Sequence, residues 1–168
     1  MRLKFILLVT ITVFSFSCSD DKEDVGDETE QSKIYGTWEA TELKINDQTA
    51  SDDAKFGSSI LSYLTNNDCT IVSFTFNADM TLVANNATNY LDIGVNSSDS
   101  GLEIPCPTEM DTETSIYTYD GVTLTYVDAE NQNVSITPII SGNIMTITAA
   151  DLGYSNLDAE GELVFEKR

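Results

Sequence analysis

From Tyr35 to Phe165 the chain is built of short runs rich in Thr, Val, Ile, Tyr and Phe, separated by polar turns. Several runs alternate. In Ile71-Val72-Ser73-Phe74-Thr75-Phe76, the side chains of Val72, Phe74 and Phe76 fall on one face. A period of two marks a half-buried strand, and these residue types suit a pleated surface. Eight strands are predicted, over 35–45, 71–76, 80–83, 116–119, 122–127, 134–137, 144–148 and 163–165.

Asp120-Gly121 is a strong two-residue hairpin signal. Asn77-Ala78-Asp79 and Ser141-Gly142-Asn143 are similar polar turns, each followed by Thr beside a large aliphatic residue. Pro138 is expected at a strand end or edge. Two segments interrupt the pattern. Residues 51–64 carry Ala54, Phe56, Ile60, Leu61 and Leu64 behind Ser51, a suitable N-cap, which predicts a short helix weakened by Gly57. Residues 85–114 read as a long polar connection, a feature usually functional or mobile in a compact domain. The expected fold class is therefore all-β with one short helix. Eight antiparallel strands can close into an up-and-down barrel, which removes exposed edges, or pack as a two-sheet sandwich. Periodicity fits both.

The N-terminus has a different character. Arg2 and Lys4 precede an apolar run from Phe5 to Phe16, broken by Thr10, Thr12 and Ser15. The run is too short to span a bilayer and fits the core of a signal peptide over residues 1–17. Ser15-Phe16-Ser17-Cys18 then resembles the lipobox of bacterial lipoproteins, which implies cleavage before Cys18 and acylation of Cys18. An ordinary signal peptide followed by a stray Cys is the plainer alternative. Several acyl chains would anchor the protein stably without any membrane-binding surface on its body. Seven of the thirteen residues from Ser19 to Gln31 are acidic. Residues 18–32 thus read as an acylated, flexible acidic tether. Acidic residues directly after the lipid-bearing Cys also resemble the surface-export signal of Bacteroidota-type lipoproteins, which implies a lipid-anchored, outward-facing location on the outer membrane, with the periplasmic face as the alternative. The run lacks the spaced oxygens and glycine of a calcium loop.

Residues 33–168 form the expected single domain. Gly36-Thr37-Trp38 at the first strand resembles the Gly-x-Trp signature of lipocalins. With the Phe74–Asp79 turn, Tyr119-Asp120-Gly121 and the final Phe165-Glu166-Lys167, the body resembles the lipocalin-like domains of bacterial surface lipoproteins. The resemblance implies an eight-stranded barrel. It also implies that Trp38 closes one end, with Lys167 or Arg168 packed on its ring through a cation–π contact. Gly36 and Trp38 would then be structural.

Composition narrows the chemistry. The chain has no histidine, which excludes Ser-His-Asp and Cys-His catalysis and His-ligated metals. Its net charge of −20 disfavours nucleic acid and anionic membrane surfaces as partners. Beyond Cys18, two cysteines remain. In an exported protein, Cys69 and Cys106 read as a disulfide. A zinc site would need more ligands, and a catalytic thiol would need a base. No phosphate-cradling loop or cofactor motif is present; Gly142 and Gly153 are isolated turn glycines. Asp92, Asp99, Glu103, Glu109, Asp111 and Glu113 crowd the long connection, so carboxylate-based glycoside hydrolysis stays open as a minor alternative to a non-enzymatic role.

The apolar stripe carries the main functional expectation. Phe74, Phe76, Leu82, Tyr117, Tyr119, Leu124, Tyr126, Ile136, Met145, Ile147 and Phe165 occupy inward positions. They form either a filled core or a cavity for one small ligand, since a barrel of this size does both. In the second case residues 51–64 and 85–114 would border the mouth. The expected function is non-catalytic binding of a small apolar or amphipathic molecule. The alternative is a packed barrel that contacts a protein or glycan through residues 85–114.

Overall fold

The computed structural model describes residues 30–95, 101–128, 130–153 and 161–168. The expected signal peptide, Cys18 and the acidic run as far as Thr29 lie outside the described residues. The described chain opens with a 3-10 turn, Glu30–Ile34, slightly ahead of the domain boundary expected at Lys33. The turn belongs to the body because Ile34 is fully buried and its carbonyl accepts a 2.7 Å hydrogen bond from the Trp38 indole nitrogen.

The strands are β1 (Gly36–Lys44), β2 (Val72–Phe76), β3 (Thr81–Asn86), β4 (Gly94–Val95), β5 (Leu102–Glu103), β6 (Asp111–Tyr119), β7 (Leu124–Val127), β8 (Asn133–Ile136), β9 (Ile139–Ser141), β10 (Ile144–Thr148) and β11 (Glu162–Lys167). One α-helix, α1 (Asp52–Thr65), follows β1. Strands β4 and β5 pair as a separate small ribbon. The other nine form one curled antiparallel sheet, a half-barrel, in the order β8-β7-β6-β3-β2-β1-β11-β10-β9. Adjacent strands of this sheet follow one another in the meander, and its first strand pairs with its last. Trp38 thereby stands opposite Phe74 on one side and Lys167 on the other.

The all-β class with one helix is as expected, while the sheet has nine strands where eight are expected and curls into a half-barrel. The ninth strand is β9, which pairs with β10. Its edge position and that of β8 are separated in the chain by Thr137 and Pro138 alone. Proline has no N–H to give a ladder, so it divides a run that would otherwise be continuous. The predicted hairpin at Asp120-Gly121 is also wider than two residues: the ladder closes at Tyr119 opposite Leu124. The Asp120 carboxylate accepts from the N–H groups of Val122 and Thr123 at 2.9 and 2.7 Å, and so stabilises the longer turn.

The helix begins where expected. Ser51 accepts from the Ala54 N–H at 3.1 Å, and Ala54, Ile60 and Leu64 face the core. The Ser58 hydroxyl donates to the Leu43 carbonyl at 2.8 Å, which ties the helix to the end of β1. Residues 85–114 depart most from expectation. Asn85 and Asn86 end β3, Asp111 to Thr114 begin β6, and these stretches pair with each other. The unpatterned connection is correspondingly shorter.

At the Gly36 end the core is dense. Trp38, Phe76, Tyr117, Met145 and Phe165 are all essentially inaccessible. The Phe76 and Tyr117 rings meet edge to face at 5.1 Å, and the Lys167 ammonium lies 5.1 Å from the centre of the Trp38 ring. Arg168 instead pairs with Glu39 at 2.6 Å. Gly36 has φ +115°, which favours glycine, and a Cβ there would lie 2.9 Å from the Lys167 side chain, so a larger residue would also displace the end of that lysine.

Candidate functional site

Side chains at every second position of a strand share a face. On β3, Leu82, Ala84 and Asn86 all line one cavity of about 370 Å³ in the half-barrel. On β6, Asp111, Glu113 and Ser115 line it too, while the next residues of that series, Tyr117 and Tyr119, are buried. Both strands therefore run from polar lining at one end to apolar residues at the other. Phe74, Phe76, Leu124, Tyr126, Ile136 and Ile147 complete the apolar wall, and Asp128 adds a third carboxylate.

A second cavity of about 310 Å³ adjoins the first at Val72, which lines both. It lies beside α1, with Phe56, Gly57, Ile60, Leu61 and Leu64 on one wall and Leu91 and Ile93 on another. Gly57, unfavourable in a helix, thus sits on the cavity side. The Cys69–Cys106 disulfide links the chain just after α1 to the segment preceding β6, with Cα atoms 5.3 Å apart.

Seven of the eleven inward residues expected from the sequence line the larger cavity: Phe74, Phe76, Leu82, Leu124, Tyr126, Ile136 and Ile147. Tyr117, Tyr119, Met145 and Phe165 do not. They pack into the core, where the Tyr117 hydroxyl donates to the Asn77 carbonyl and the Tyr119 hydroxyl to the Gly121 carbonyl. These bonds satisfy the two phenols against turn backbone and leave neither free to orient a ligand. Residues 85–114 contribute Asn85, Asn86, Asn89, Asp111 and Glu113 to the larger cavity, whereas residues of 51–64 line the second cavity and not the first. Asp128 lay outside the residues singled out from the sequence. Stepping back by two from Tyr117 reaches Ser115, Glu113 and Asp111, a signal hidden because the opposite face of that stretch is polar too.

The electrostatics of the lining are negative. Hydrogen bonds from Asn89 at 2.9 Å and the Tyr90 hydroxyl at 2.8 Å hold the Asp111 carboxyl below its ordinary pKa. A general acid for glycoside hydrolysis needs the opposite shift. Burial, then Asp128, Asp151 and Glu113, push the Tyr126 phenol up. Among the described residues, no group of His, Cys, Asp or Glu is arranged to hold a metal ion.

Tyr117 offers a pH test of the packed end. Burial, with Tyr35 and Asp79 nearby, pushes its pKa up to about 12. An unfolded tyrosine ionises near pH 10. Between those values the unfolded chain loses the proton while the folded chain keeps it, so unfolding becomes easier as pH rises. Urea titrations on either side of pH 10 should show this fall in stability, and Tyr117→Phe should reduce its slope. An unchanged slope would assign the fall to other tyrosines.

Comparison with known protein families, with curated proteins and with solved structures finds no match to this chain.

Proposed function

We propose that this protein is a lipid-anchored outer-membrane lipoprotein whose lipocalin-like barrel binds a small apolar or amphipathic molecule without catalysis. In this reading β8 and β9 are two halves of one strand bent at Pro138, so that eight strands close the meander. Cys18 carries the anchor, and the acidic residues after it form the tether. The observation that supports binding is the 370 Å³ cavity, which has the size and the mainly apolar wall of a small-ligand site. The expected cavity residues converge on it from β2, β3, β7, β8 and β10.

Native mass spectrometry of the purified protein tests the reading. A stoichiometric extra mass that is lost on denaturation is expected, either as isolated or after incubation with fatty acids and sterols. Ala84 lines the cavity and has room beside it, so Ala84→Phe should fill part of the space and weaken that binding by about tenfold or more. A bare mass under every condition would move the assignment to the second reading. That reading is a contact surface on residues 85–114, where Tyr90, Ile93 and Met110 are exposed.

A further inference from the structure

We propose that the larger cavity selects a cationic amphiphile, with its apolar body among Phe74, Phe76, Leu124 and Ile136 and its positive head beside Asp111, Glu113 and Asp128. The inference rests on the cavity being a binding site and adds the charge of its ligand.

The cavity is polarised along its length. Asn86, Ala84 and Leu82 succeed one another on β3, and Asp111, Glu113 and Ser115 lead towards buried Tyr117 on β6. An elongated molecule with one polar end therefore has one favourable orientation. Three carboxylates line the polar part, and neither lysine nor arginine lines the cavity anywhere. Residues 33–168 contain just Lys33, Lys44, Lys55, Lys167 and Arg168 as basic residues. Lys167 and Arg168 are engaged with Trp38 and Glu39 respectively. Nothing in the lining offsets the negative charge.

That charge is felt inside. The Tyr126 ring lines the same wall, and part of the rise in its pKa comes from Asp128, Asp151 and Glu113. Asp111 is kept ionised by Asn89 and Tyr90. An ammonium head would meet these carboxylates at the exposed, polar end of the cavity, where three negative charges together attract it. The Tyr126 ring offers it further attraction. A carboxylate head would meet three like charges in the same place.

Three probes of equal chain length separate charge from apolar fit: dodecylammonium, dodecanol and dodecanoate, each titrated calorimetrically into the purified protein at low salt. Dodecylammonium should bind about tenfold or more tighter than dodecanoate, with dodecanol between them. Glu113→Gln with Asp128→Asn should narrow that ratio to within about threefold. Glu113→Gln alone, at an exposed position, should narrow it part of the way and serves if the double variant is unstable. Asp47→Asn with Glu166→Gln removes the same charge from exposed positions outside the cavity and should leave the ratio intact. Equal binding of the three probes would overturn the charge preference while leaving the cavity as a site. Failure of all three to bind would overturn the binding reading itself. Equal narrowing by the Asp47 and Glu166 pair would assign the preference to overall protein charge and overturn the proposal.

Discussion

Trp38→Ala is expected to lower the unfolding free energy by about 3–5 kcal/mol, the range for truncating a fully buried aromatic residue. Trp38 has no accessible surface. Its ring lies under the Lys167 ammonium, and its indole N–H is the 2.7 Å partner of the Ile34 carbonyl. The substitution therefore removes apolar burial, opens a cavity and strips a buried carbonyl of its donor at once. These losses share one site and do not add independently. Two milder variants divide them. Trp38→Phe keeps a ring but loses the donor and some volume, and should cost about 1–2 kcal/mol. Lys167→Met keeps the apolar stem over the ring and should cost about 0.5–1 kcal/mol. Urea titration followed by far-ultraviolet circular dichroism measures all three, since Trp38 is the sole tryptophan and its fluorescence vanishes with it. A loss under about 1 kcal/mol for Trp38→Ala would mean that this end of the half-barrel is not tightly packed.

That end is where local sequence was most informative. Gly36-Thr37-Trp38 and the final Phe165-Glu166-Lys167 are separate signals in the sequence, and β1 and β11 bring them together, with Trp38 opposite Lys167. Apolar alternation marks β10 clearly because Met145 and Ile147 are buried and their neighbours in the strand are not; β2 alternates in residue type, although Ser73 on its other face is buried too. By the same rule β6 is legible only in part. At Ile116 to Tyr119 the inward residues are aromatic and the strand is visible in the pattern. At Asp111 to Thr114 the inward residues are carboxylates on the cavity lining, so both faces are polar and the alternation disappears. A strand that borders a polar mouth is thus read as a loop. The cavity itself was hidden for a related reason. Tyr117 and Tyr126 are the same residue type on paired positions of neighbouring strands, yet one is sealed in the core and the other lines the cavity. Their difference is set by neighbours from several strands, which no single run contains.

Removing the disulfide with Cys69→Ala and Cys106→Ala should destabilise the protein by about 2–4 kcal/mol. The bridge spans 37 residues and so restricts the unfolded chain; loop closure of that length is worth roughly 4 kcal/mol in the chain-entropy model. It also has local consequences in the folded state. Ile104, two residues before Cys106, is buried in the core, and Cys69 follows directly on the turn that ends α1. Without the bridge, Ile104 and the adjoining connection keep apolar contacts but lose their covalent anchor. Asp111 is secured separately, because it pairs with Asn86 in the β3–β6 ladder. Stability should therefore fall more than ligand affinity does. Urea midpoints of the native and double-alanine proteins give the first quantity, and titration with dodecanol gives the second. Equal midpoints would show that the bridge constrains little that the fold does not already hold. A parallel collapse of affinity would show that the connection around Cys106 builds the cavity mouth. A bridge worth several kcal/mol is useful where thiols are oxidised, as in the periplasm or at the cell surface. The bridge strengthens a half-barrel whose interior is left partly open and so forgoes the packing of a filled core.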